Sequence, residues 1–269
     1  MNNAKAFILV LLTVTLFACS SSRKISWPED GYTVSGSSFY AIAASFNWQQ
    51  RDSFVLAAFM QGNIPGFFKK FVPVHTSVKD SNGIITRATY YVSPDYLCIG
   101  NDADWARVCI TPMAAQQIAD SLHCFLPTSK MVDDIYKAAT VKLAPVPMYA
   151  YRDSTVTMWQ HHLIIEGQRR QQKGLIAGIK KDVVISEKVS NDPRHNRVAI
   201  YGWHQPDGKP IQPLYTGHVN WYVDYSHGIR LVYEYITING RPVHYTKVLS
   251  DPFLKALLCN EPSCNFYRY

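Results

Sequence analysis

The chain has 269 residues, 47% of them apolar, which is enough hydrophobic material for one large core or two small ones and too much for a disordered chain. A formal charge of +7 and a pI near 9.0 favour anionic partners such as phospholipid headgroups, lipopolysaccharide or acidic glycans. Nucleic acid is excluded as the expected partner, because the basic residues are scattered and no zinc-finger or RNP-type signature is present.

At the start, Lys5 precedes an apolar run over residues 6–17, and Leu16-Phe17-Ala18-Cys19 is followed by Ser20-Ser21-Ser22-Arg23-Lys24. The run is about a dozen residues, short of the roughly 20 that a spanning helix needs, and the small residue before a cysteine marks a cleavage point. These residues resemble the signal peptide of bacterial lipoproteins. The resemblance covers residues 1–24 alone. It implies removal of residues 1–18, acylation of Cys19 and stable anchorage in a membrane through more than one acyl chain. With no acidic residue directly after Cys19, it also implies the periplasmic face of an outer membrane.

Residues 19–36 read as the lipidated cysteine and a polar tether. Phe39, Ile42, Ala43 and Phe46 then repeat at helical spacing, and Asp52 is placed to cap a second helix that stops at Gly62. The period changes to two at Val72, Val74, Thr76 and Val78, and Asn82-Gly83 marks an antiparallel hairpin with residues 84–92. Short strands near 96–99 and 106–110 are expected to extend it.

Thr111-Pro112 and Thr128 open a central pair of helices. Pro145 and Pro147 break the chain into residues 37–145 and 146–269, which are either two halves or one continuous domain. Ser154 can cap a helix running to about Gln172. Strands are expected over 175–186, 197–204, 210–214, 219–223, 229–238 and 241–248, with turns at Pro206-Asp207-Gly208 and Asn239-Gly240, and a last short helix over 252–258. The expected class is α+β: N-terminal helices and a hairpin, a central helix pair, and a C-terminal antiparallel sheet packed on one helix.

With Cys19 lipidated, five cysteines remain. Cys259 with Cys264 and Cys98 with Cys109 are the spacings suited to disulfides, which leaves Cys124 as a small buried hydrophobe.

Seven of the nine histidines lie between His161 and His244, so groups that titrate near neutral pH concentrate in the second half. On the helix from Ser154, His162, Glu166 and Arg169 or Arg170 share a face, either as an imidazole with its orienting carboxylate or as a solvated row of ion pairs. In Lys180-Lys181-Asp182, strand alternation places Lys180 beside Asp182, as an anion-binding pair or an edge guard, and turns Lys181 to solvent. Trp203 and His204 end a strand before a turn, where a scaffold presents functional groups, although Trp203 also suits the core.

The sharpest constellation is His218 with Asp224-Tyr225-Ser226-His227-Gly228 and Arg230. A straight strand would turn Asp224 and His227 to opposite faces, so residues 224–228 are expected as a hairpin connection with Gly228 left-handed. Asp224, Ser226 and His227 would then converge in one of three ways. They form a base with its orienter, a two-histidine, one-carboxylate site with His218 or His204 that would take zinc, or a merely structural turn.

G-x-S-x-G, P-loop, dinucleotide and HExxH patterns are absent. The second-half segments around Lys180, Tyr201 to His204 and Asp224 to Gly228 resemble those of other exported bacterial proteins of unassigned function, and that likeness implies no activity.

The expected function is a membrane-anchored envelope hydrolase of amidase or peptidase type, acting on peptidoglycan or a related exported polymer. His227, Asp224 and His204 would form its centre, with Lys180, Arg230 and Trp203 binding substrate. The alternative is a noncatalytic lipoprotein whose 17 tyrosines and 6 tryptophans grip glycan or a partner protein. Convergence of Asp224, His227 and His204 in one cleft separates the first from the second.

Overall fold

The computed structural model describes residues 25–29, 31 and 34–269, so the signal and Cys19 lie outside the described residues. The tether is not wholly free of the body. Ile25 and Trp27 pack on the core, Trp27 edge-on to Phe68 and Phe71, and Gly31 N donates to Gln61 O at 2.8 Å.

Ser35 caps the helix Gly36–Ile42, and Asn47, not Asp52, caps the helix Trp48–Met60 through a reciprocal box with Gln50. Asp52 sits one turn inside that helix and is buried. There it accepts from Thr111 Oγ1 at 2.5 Å, tying this helix to the entry of the helix Pro112–Ser121. The caps at Thr111, Thr128 and Ser154 form as the sequence requires, each side-chain oxygen accepting a backbone N–H three residues on.

The fold is α+β. Strands Val72–Lys79 and Ile85–Val92 pair antiparallel around Asn82-Gly83, with Lys79 opposite Ile85. Val92 pairs with Val72 and with Val232, so Ile85–Val92 is flanked on its other side by Val232–Tyr233 and Tyr235–Ile238, and the sheet continues to Arg241–His244 and Cys124–Phe125. One sheet thus joins strands from before and after Pro145, and the main core runs from Phe39 to Cys264.

Strands Cys98–Gly100 and Trp105–Arg107 pair only with each other and do not extend the hairpin as expected. The C-terminal strands also do not make one antiparallel sheet. Pro210–Tyr215, Ala199–His204, Lys181–Val184 and His227–Gly228 form a separate four-stranded sheet in that order, the last pair parallel. Cys259 and Cys264 are bonded, whereas Cys98, Cys109 and Cys124 are free and buried, Cys98 standing opposite Arg107. No helix among the described residues is long and apolar enough to cross a membrane.

Arg107 joins the helical layer to the rest. Its guanidinium meets Asp95 through two bonds of 2.8 and 2.7 Å and Glu166 at 2.8 Å, with Asp95 fully buried. Arg169 holds the other Glu166 oxygen at 2.6 Å. Breaking such a pair from one side strands a buried charge. Arg107→Met should therefore lower the unfolding free energy by about 3–5 kcal/mol in urea titrations, and adding Asp95→Asn should restore part of the loss.

Candidate functional site

The site grows from the edge strand His227–Gly228 of the four-stranded sheet and its inner neighbour Lys181–Val184. His227 pairs with Lys181 and Gly228 with Asp182, in register and parallel. Gly228 is not the left-handed hairpin residue the sequence suggests, and Val219 to Val223 is no strand. Glycine is required at 228 by close approach, because a Cβ there would stand 2.4 Å from the Tyr96 ring and 2.7 Å from Lys180 Cβ. This approach lets the 219–228 segment drop against the sheet and bring Asp224 back over His227.

Asp224 is fully buried. Its Oδ1 accepts from Ser226 N at 2.8 Å and Ser226 Oγ at 2.5 Å, and its Oδ2 faces Arg152 Nη2 at 3.1 Å and the Tyr222 hydroxyl at 3.5 Å. His227 Nε2 lies 3.9 Å from Oδ1, buried and without a hydrogen-bond partner. The His218 ring centre is 5.8 Å from that of His227, and His218 packs on Tyr222 at 4.6 Å and edge-on to Tyr215 at 5.3 Å.

Lys181 completes the group. Strand alternation does separate it from Lys180 and Asp182, but it is covered rather than solvent-facing, with Nζ 5.0 Å from the Trp203 ring centre. Trp203 reaches that place because it and Gly202 take φ of 57° and 103° inside their strand, a left-handed pair that turns the indole over the lysine.

Charge follows from burial and neighbours. Desolvation pulls the His227 pKa down to about 4, against the opposing pull of Asp224 and with help from Lys181 and His218. His218 is lowered too, first by desolvation. Burial alone would raise Asp224, but His227, the two Ser226 donors and Lys181 outweigh it and hold the carboxyl at about 2. Desolvation lowers Lys181 as well. At neutral pH the site holds an anion facing two neutral imidazoles, with Lys181 and Arg152 beside it.

The other predicted residues go elsewhere. His204 does not join Asp224 and His227, so the three-residue convergence expected of the hydrolase is met by Asp224 and His227 alone: the His204 Nε2 meets Asp133 at 2.9 Å and its ring stacks on Tyr136 at 4.4 Å, both on the helix Ser129–Ala138. His162 and Glu166 belong to the Arg107 cluster, where His162 Nδ1 lies 3.4 Å from Arg107 N and its ring stacks on Trp159. Glu166 spans two arginines and acts as a structural anion.

Lys180 is buried, donating to the Tyr225 carbonyl and lying 3.4 Å from Cys109 Sγ, so it holds the loop from below and is closed to substrate. Arg230 is likewise spent on the carbonyls of Ser93 and Ile176.

The zinc reading of His218, Asp224 and His227 fails. Among the described residues no three His, Cys, Asp or Glu side chains are placed to hold a metal ion. Both Asp224 oxygens are engaged by donors, and Arg152 and Lys181 add positive charge where a cation would sit.

Sequence reading missed Arg152 and Tyr222. The only local sign of Arg152 is its place two residues before the Ser154 cap. Tyr225 N donates to the Arg152 carbonyl at 2.9 Å, which sets that guanidinium beside Asp224. His161 was also passed over; it is fully buried, with neither ring nitrogen bonded.

Compared with protein-family models, curated proteins and solved structures, the chain matches none.

The buried imidazoles make stability depend on acid. Desolvation pushes His161 to about 2 and His162 well below the ordinary 6.5, as it does His227. A group with a depressed imidazole pKa binds its proton more readily in the unfolded chain. Its contribution is complete above about pH 6.5 and declines below it, by up to about 1.4 kcal/mol per pH unit for each proton. Urea titrations should show stability falling as pH drops from 6.5 towards 4, and His227→Gln should remove one proton's share of that slope.

Proposed function

We propose that the chain is an envelope-anchored hydrolase of peptidoglycan or a related anionic polymer, working by acid–base chemistry at His218, His227 and Asp224. The observation that carries this reading is the meeting of two neutral imidazoles with one buried carboxylate beside two cations. A neutral imidazole can take a proton from water as it attacks an amide or ester carbonyl, and a fixed carboxylate 3.9 Å away stabilises the imidazolium that results.

His218 is the half-exposed member and the natural proton carrier to and from the polymer. His227, further in, lies between His218 and Asp224, and the carboxylate, which stays ionised, stabilises positive charge that develops on the imidazoles. Lys181 and Arg152 would supply positive charge to neutralise a tetrahedral intermediate formed beside Asp224. Ser226 has its hydroxyl committed to Asp224 and orients that carboxylate.

Two supports come from sequence: the lipoprotein-like signal would hold the body at an envelope surface, and the net positive charge draws an anionic polymer.

Digestion of purified sacculi should release soluble muropeptides. His218→Asn and His227→Gln should each reduce release by roughly 10²–10⁴-fold with the fold retained by circular dichroism, and EDTA should leave it unchanged. No product from the wild-type chain would overturn the catalytic reading in favour of a noncatalytic binder. Separately, Cys19→Ser should abolish incorporation of labelled palmitate in cells and release the protein from the membrane fraction.

A further inference from the structure

Tyr149 and Tyr151 are 90% and 83% exposed, the most exposed aromatic rings among the large hydrophobic residues. Neither contributes to the core, yet both sit in a segment fastened to the site. Met148 N donates to the Tyr225 hydroxyl at 2.6 Å, and Tyr225 N donates to the Arg152 carbonyl at 2.9 Å. Tyr225 directly follows Asp224, so these two bonds tie the 148–152 segment to the loop that carries the carboxylate. The Arg152 guanidinium lies 5.9 Å from the Tyr225 ring centre and pairs with Asp224, so the residue next to Tyr151 in the chain reaches the buried carboxylate.

The backbone is constrained as well. Tyr151 has φ of 47°, a left-handed conformation that a bulky residue adopts only when its surroundings enforce it, and its carbonyl accepts from Ser154 N at 3.0 Å as the helix Thr155–Arg169 begins.

From this arrangement we infer that Tyr149 and Tyr151 form a subsite for the sugar rings of an anionic glycan strand, feeding the His218–Asp224–His227 centre. The inference rests on the function proposed above and names which part of the polymer the protein grips. Tyrosine faces stack on the apolar face of a pyranose while their hydroxyls stay wet. Directly after Tyr151, Arg152 and Asp153 are also exposed, so the segment offers hydrogen-bonding groups to sugar hydroxyls and carboxylates. An acyl chain would have to desolvate those charges, which argues against a lipid occupant.

The test measures binding of the full chain to peptide-free peptidoglycan glycan strands, to free stem peptides and to anionic phospholipid vesicles. The double variant Tyr149→Ala/Tyr151→Ala should bind glycan strands about tenfold or more weakly, with an unchanged melting temperature because both rings are exposed. Tyr149→Phe/Tyr151→Phe should stay near wild type, since stacking needs the ring and not the hydroxyl.

Unchanged glycan affinity in the alanine variant would overturn the inference, as would an effect confined to stem peptides or vesicles. Cleavage assays keep the two readings apart. Ring-dependent glycan binding by a chain that cleaves nothing would sink the catalytic proposal and leave this subsite standing, whereas cleavage unaffected by removing the rings would do the reverse.

Discussion

A fully buried carboxylate needs donors, and Asp224 obtains them from its own loop and from Arg152, beside the charge of Lys181. Ser226 supplies two donors from within the loop and Arg152 one from the segment before a helix, while Lys181, held by the sheet beneath, acts on the carboxylate through its charge alone. Left without these, a charge in that position would cost several kcal/mol or be neutralised. The 219–228 segment and the 145–154 segment meet at that anion, with His227 and His218 beside it.

The molecule separates its buried charges into two kinds of cluster. Around Arg107 the ions are paired: Asp95 and Glu166 take the guanidinium from two sides, the Glu166 Oε1 contact being an ion pair without a hydrogen bond, and Arg169 holds the other carboxylate oxygen. Such a cluster of opposite charges fixes geometry. Around Asp224 the balance is different. His227 Nε2 is buried without a hydrogen bond, and His218 is only partly covered. An unsatisfied imidazole next to a fixed carboxylate is costly for stability and suited to proton transfer, which is why the first cluster reads as scaffold and the second as a working site.

The strand Lys181–Val184 links these regions through simple alternation. One face sends Lys180 under the loop and Asp182 to the Tyr96 hydroxyl at 2.9 Å; the other sends Lys181 towards Trp203 and Asp224. Burial raises the Asp182 carboxyl to about 6, while Arg230 and Tyr96 moderate the shift, so this side too is a held charge and not an exposed one. Two adjacent lysines thus do different work: Lys180 braces the loop backbone, and Lys181 contributes its charge to the site.

Local chemistry in the sequence was sufficient for the α+β class, the three hairpin turns, the caps at Thr111, Thr128 and Ser154, and the Cys259–Cys264 bridge, because each is settled within a few residues by dihedral preference, hydrogen bonding or reach. Asp52 was misread as a cap because Asn47 offered a complete box one turn earlier. The histidine-rich second half and the Asp224 to His227 segment also stood out, but which side chains meet there did not. His204 was lost to Asp133, the zinc triad to the surrounding cations, and Arg152 could be placed only by a long-range bond from Tyr225. Those outcomes depend on strand order, on a parallel pairing between residues 46 apart, and on which donor reaches a buried anion first. They are properties of packing in three dimensions, and no local pattern encodes them.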